Sequence, residues 1–232
     1  MKNKVNYLAI LTFFIIAIAL RYLTNKTDLL SNLPSGFIKI ILQGISPTIA
    51  AITVFAVFKI KPILTLKGNY GHILTPFLLY WTLPIVLILG VEYGTKGTIS
   101  FEAITAILIY GLLEEIGWRG FLQQQLKPLP EILNIFIVAI LWFVWHLNFD
   151  FTSSNLLFFG ILILGSWGIG KVANQTYSLL AVSAFHSLNN FFPKMNTIKV
   201  LLLLSLISIW VIALIIRKKQ QNKEKVIGVE YN

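Results

Sequence analysis

Apolar residues along this chain gather into eight runs of about 16–26 residues, at 5–20, 37–58, 72–91, 101–126, 131–147, 156–173, 177–192 and 197–216. Runs of that length, apolar on every face, predict helices that cross a bilayer. The breaks between them carry helix-ending chemistry. A polar stretch over 25–36 holds Pro34 and Gly36, and a basic stretch follows the second run with Lys59, Lys61, Pro62 and Lys67. A Gly- and Thr-rich loop covers 92–100, Pro128 and Pro130 stop the fourth run, and a polar loop with Asp150 covers 148–155. Pro47, Pro76 and Pro84 fall inside runs, where membrane helices tolerate them if neighbours satisfy the freed carbonyls. Ala17-Ile18-Ala19 has the form of a signal-peptide cleavage site, but the first run is no more apolar than the seven after it, which favours a retained helix. The expected fold is therefore all-α: a polytopic integral membrane helix bundle of about eight transmembrane helices, one domain over 1–216 with a motif core at 101–192. A basic tail, 217–232, is expected to be disordered and cytoplasmic.

Composition narrows the class further. Of 232 residues 56% are hydrophobic and only 12% charged, too few to coat a soluble domain of this size. The net charge of +10 comes mostly from lysines at the ends of apolar runs, which reads as anchoring at a membrane face and not as nucleic-acid binding. With eight crossings, most basic residues fall on the side of the two termini, which predicts that both are cytoplasmic. The absence of cysteine excludes disulfides, thiolate catalysis, cysteine zinc sites and S-palmitoylation. The wealth of Lys, Ile and Asn points to an AT-rich bacterial genome, hence a bacterial cell membrane.

Charge inside an apolar run is the feature that points to chemistry. Glu114, Glu115 and Arg119 stand in the fourth run, where each charge costs about 3 kcal/mol or more near the bilayer centre. Glu115 and Arg119 are four apart and share a helical face, so they are expected to pair. Glu114 lies about 100° round the helix, free for another task. His146 ends the fifth run, and His186 and Asn190 sit four apart in the seventh. A carboxylate with an imidazole activates water; a second imidazole with an amide stabilises an oxyanion. The same Glu114, His146 and His186 also make a donor set for zinc. Gly165 to Lys171 nearly spells a phosphate-binding loop, but Val172 follows the lysine and no strand precedes it, so small residues for close helix packing is the better reading.

The ordered set Glu114-Glu115-x-x-x-Arg119, Trp142-x-x-x-His146 and His186-x-x-x-Asn190 resembles the CPBP family of CAAX proteases and bacteriocin-processing enzymes, also called Abi. The resemblance covers 101–192. It departs from the usual pattern at Trp142, where phenylalanine is commoner, a change expected to affect packing and not chemistry. The resemblance implies an eight-helix intramembrane endopeptidase acting on a membrane-associated peptide or protein substrate. In it Glu114 and His146 activate water, His186 and Asn190 stabilise the oxyanion, and Glu115 and Arg119 orient the site. It implies a metal-free glutamate mechanism with no cofactor, zinc being the alternative. Bacterial members are linked to peptide maturation and bacteriocin immunity. Two other classes compete: a non-catalytic immunity or scaffold protein, and a proton-coupled transporter using the same polar residues.

Overall fold

The computed structural model describes residues 4–33, 36–191 and 196–230. Lys2, Pro34, Phe192, Lys194 and the last two residues of the tail, all used in the sequence reading, lie outside the described residues. Every regular element among the described residues is helical, and the elements follow the eight apolar runs.

The first helix, α1 (Tyr7–Lys26), is capped by Asn6, whose side chain accepts from the Ala9 N–H at 3.0 Å. The second run is two helices, α2 (Gly36–Gly44) and α3 (Ser46–Val57), bent by 42°. Pro47 sits in the first turn of α3, where a missing N–H leaves no bond unmade. The third run opens as α4 (Leu74–Phe77), passes through a π-helical turn at Leu78–Thr82, and continues as α5 (Leu83–Lys96). Here the Leu83 N–H bonds to the Leu78 carbonyl, five residues back. That leaves the Leu79 carbonyl open, and the Trp210 indole N–H fills it at 2.9 Å. The turn lies just ahead of Pro84, where an ordinary α-helix would be disturbed. Helix α5 runs on past Glu92, where the sequence predicts a loop, and stops only at Gly97, whose φ of +66° few other residues accept.

The fourth run follows the same plan: α6 (Phe101–Gly117), a π-helical turn at Trp118–Leu122, and α7 (Gln123–Gln125). Then come α8 (Glu131–Trp145), α9 (Ser153–Thr176), α10 (Leu179–Ser187) and α11 (Thr197–Glu230). Among the described residues, four helical stretches are long and apolar enough to cross a membrane, namely α1, 74–95, α9 and α11; the bent α2–α3 pair makes five. The expected count of eight spans is therefore not confirmed. The clearest departure is the seventh run. Helix α10 has 9 residues, rising about 14 Å, and nearly all of it is buried. A helix hidden inside protein and one facing lipid are equally apolar, so sequence alone does not separate them. The basic tail also departs from expectation: α11 continues through it to Glu230. Lys, Gln, Glu and Arg are strong helix formers, and they extend a helix already nucleated in the membrane run.

Helix α6 is the axis of the bundle, with α2, α3 and α10 against it. Two glycines allow that approach. A Cβ on Gly111 would stand 2.7 Å from Ser187 Oγ and 3.0 Å from the Ser183 carbonyl on α10. A Cβ on Gly117 would stand 2.5 Å from Pro47 on α3. Basic groups far apart in sequence collect at one end of the bundle. Lys127 lies over the Tyr177 ring, Lys171 pairs with Glu131 at 2.5 Å, and Arg217 binds the Asn69 carbonyl and side chain.

Candidate active site

Helix α6 sends its two glutamates in different directions, as the spacing predicts. Glu115 faces Arg119 one turn on, at 2.8 Å from Oε1 to Nη1, and neither side chain is solvent-accessible. The same Oε1 accepts from His186 Nδ1 at 2.7 Å. One carboxylate oxygen thus ties α10 to α6. Arg119 also donates to the Gly165 carbonyl at 3.3 Å and lies 4.5 Å from the Trp142 ring centroid. The small-residue stretch of α9 therefore meets the π-helical turn at Gly165, and α7 at Gly170, whose carbonyl accepts from Gln123 at 3.2 Å.

Glu114 is 1% exposed. Its Oε2 accepts from the Trp142 indole N–H at 2.8 Å and lies 4.0 Å from His186 Nε2. His146 caps the C-terminus of α8 and is followed by Leu147 in the left-handed region, φ +56°, which ends the helix there. Its Nδ1 is 2.8 Å from the Trp142 carbonyl. A carbonyl only accepts, so Nδ1 carries a proton, and in the neutral ring Nε2 keeps its lone pair. Asn190 lies in the turn beyond α10 and not on the helix itself, with its N–H on the Ser187 carbonyl at 2.9 Å.

These groups meet. A cavity of about 410 Å³ is lined by Glu114, His146, His186 and Asn190, with Tyr110 and Trp142 beside them. The two supporting residues, Glu115 and Arg119, stand behind its wall. Three features of the site escape the sequence reading. Trp142 was assigned to packing, yet its indole holds the Glu114 carboxylate. Tyr110 lies within electrostatic reach of Glu114, four residues along one face of α6. Arg21 appears in the sequence as a flanking charge; it is instead 9% exposed, 4.0 Å from the Trp145 ring centroid, and donates to the Gln43 carbonyl at 2.7 Å. A signal for it was present: Ala9, Phe13, Ala17 and Arg21 share one i, i+4 stripe, and all four are buried.

Zinc requires three protein ligands around one point. Among the described residues, no three His, Asp or Glu side chains are grouped to hold a metal ion. Glu114 Oε2 is taken by an indole N–H, and His186 Nδ1 by Glu115. Among the described residues the Nε2 atoms of His146 and His186 carry no hydrogen bond, and a carboxylate behind the Nδ1 of His186 suits a metal ligand as well as a proton donor.

Fold and site together define a helical membrane protein with a buried carboxylate, two imidazoles and an amide around one cavity. Residues 96–192 match the family model described as Rce1-like, Type II CAAX prenyl endopeptidase Rce1-like. All seven motif residues lie inside that match, so the resemblance is borne out at the level of the family. The comparisons with curated proteins and with solved structures gave no match.

Proposed function

We propose that this chain is an intramembrane endopeptidase that hydrolyses a peptide bond in a peptide or protein held at the membrane. The observation that carries the reading is the convergence of Glu114, His146, His186 and Asn190 on one cavity. In the proposed reaction Glu114, assisted by the His146 Nε2 lone pair, takes a proton from water as its oxygen attacks the scissile carbonyl carbon. The carbonyl oxygen becomes an oxyanion facing His186 and Asn190. The tetrahedral intermediate then collapses, the C–N bond breaks, and the proton held by Glu114 passes to the departing amine.

For His186 to donate to the oxyanion while its Nδ1–H is on Glu115, Nε2 must carry a proton too. The ring then acts as an imidazolium between two carboxylates. Glu114, Glu115, Arg119 and His186 sum to zero charge in that state, which suits a buried cluster. We read the mechanism as metal-free, as the family resemblance implies, with Glu114 and His146 activating water unaided. We also carry the bacterial setting, peptide maturation or bacteriocin immunity, on the composition of the chain. The same end of the bundle that gathers Lys127, Lys171 and Arg217 is assigned to the cytoplasm. Arg21 beside Trp145 sets the C-terminal halves of α1 and α8 level, so the start of α1 lies at that end with Glu131. Both termini then face the cytoplasm.

The test is cleavage of membrane-anchored peptides by the purified protein in liposomes, before and after exhaustive chelation, with products identified by mass spectrometry. Wild type is expected to cleave in both conditions. Glu114→Gln, which keeps the shape but accepts no proton, is expected to lose activity while keeping its abundance. Turnover by Glu114→Gln near the wild-type rate, or no cleavage by wild type of any anchored peptide, overturns the reading. Loss on chelation with recovery on added zinc overturns its metal-free form.

A further inference from the structure

Trp142 meets Glu114, His146 and His186 at the cavity and Arg119 behind it, through different parts of itself. Its indole N–H donates to Glu114 Oε2 at 2.8 Å. Its backbone carbonyl accepts from His146 Nδ1 at 2.8 Å. Its ring centroid lies 5.2 Å from that of His186 and 4.5 Å from the Arg119 guanidinium carbon. It is 5% exposed and shares the cavity wall with Glu114. A phenylalanine there would keep the carbonyl, hence the His146 tautomer, and keep an aromatic face for Arg119. It would lose the 2.8 Å contact that holds Glu114 Oε2.

We propose that Trp142 is a positioning residue for the base: its indole N–H fixes the plane of the Glu114 carboxylate and commits Oε2, so that Oε1 is the oxygen presented to water. This rests on the hydrolytic reading above and deepens it. A carboxylate on a flexible side chain turns about its terminal bond through a broad range of angles. With Oε2 bound, Glu114 keeps one orientation throughout attack and collapse. Such restraint acts on the transition state and not on substrate affinity, so its loss falls on kcat and leaves KM in place. His186 lies 4.0 Å from that same Oε2. Fixing this oxygen therefore also keeps His186 Nε2 and the water-facing oxygen apart, and the proton donor and the base do not quench each other.

The experiment replaces Trp142 in the full-length protein in two ways. Trp142→Phe removes the N–H and part of the ring. Replacement by 3-benzothienylalanine, through an expanded genetic code, keeps the bicyclic shape and puts sulfur in place of N–H. Both variants are expected to lower kcat at least tenfold, about 1.4 kcal/mol at 1.36 kcal/mol per decade. KM is expected to stay within about twofold, and both variants to melt below wild type because a buried carboxylate loses a donor. An isostere with wild-type kcat overturns the proposal, and so does a defect confined to Trp142→Phe, which would report lost packing. A second readout does not depend on turnover. With the six Trp residues labelled with 15N, Trp142→Phe identifies the Trp142 indole resonance. That N–H is expected downfield in wild type and to move upfield in Glu114→Gln. If wild type cleaves nothing, the hydrolytic reading fails while the resonance still decides the positioning claim; a Trp142 resonance insensitive to Glu114→Gln overturns it.

Discussion

Removing Glu115 is expected to destabilise the protein more than removing Arg119, although the two form one ion pair. Glu115 Oε1 serves two donors, Arg119 Nη1 at 2.8 Å and His186 Nδ1 at 2.7 Å. Glu115→Leu leaves a guanidinium with the Gly165 carbonyl and the Trp142 face, and a histidine with no anion at Nδ1. A guanidinium does not give up its proton in a protein, so the charge stays, fully buried. Breaking a buried pair in this way costs about 3–5 kcal/mol. Arg119→Met leaves Glu115 with His186 as a partner and with the option of taking a proton. We expect that variant to lose about 1–3 kcal/mol, the range for a buried hydrogen bond to a charged group. For a chain of this length each kcal/mol moves the melting temperature about 2–4 °C. Glu115→Leu should therefore melt about 6–20 °C below wild type, and Arg119→Met about 2–12 °C. The assay is thermal unfolding in one detergent, with the double variant to close the cycle. The double variant should lose less than the sum of the singles by about 1 kcal/mol or more. Equal losses in the two singles, a larger loss for Arg119→Met, or simple additivity would refute the argument.

Two further predictions follow from close packing and burial. Gly111→Ala sets a Cβ 2.7 Å from Ser187 Oγ and 3.0 Å from the Ser183 carbonyl, so it should push α10 away, cost about 1–3 kcal/mol, and lower activity through His186 and Asn190; an unchanged melting temperature would contradict the α6–α10 contact. Arg21→Met should cost about 1.5–3 kcal/mol, because the Gln43 carbonyl and the Trp145 face both lose a cation, whereas a flanking surface arginine would cost about 0.5 kcal/mol or less; thermal unfolding separates the two.

The sequence carried the helical class, the different directions of Glu114 and Glu115, and the set of groups around the cavity. Each of these follows from a local rule. Apolar run length sets the element type, 3.6-residue periodicity sets which glutamate meets Arg119, and membrane cost marks the residues that have a reason to be there. The depth of the elements was not legible. Where α10 stops is the plainest case: it ends after only 9 residues, inside the expected apolar run, whereas α8 ends at Trp145, close to the polar loop that begins at Asn148. Leu147 takes a left-handed conformation that a glycine would have advertised, and Leu188 beyond α10 is as apolar as the helix before it.

Trp142 and Arg21 were misread for a shared reason. Each was judged by residue class: an aromatic as packing, a terminal arginine as an anchor at the membrane face. In both cases the polar atom decides the role, and both point to the α6 face that carries Glu114. The Trp142 N–H reaches Glu114 itself, while Arg21 lies within reach of Tyr110, which in turn neighbours Glu114. A buried carboxylate needs donors as well as a catalytic task. Once Glu114 is assigned to the interior, the question to put to the sequence is which N–H and O–H groups one turn away, or on a facing helix, are available to it. Tyr110 at i−4 answers from α6. Trp142 answers from α8, at the one motif position where this chain departs from the common phenylalanine. A departure that adds a hydrogen-bond donor beside a buried anion is a chemical change, and it is legible as one before any coordinates are in hand.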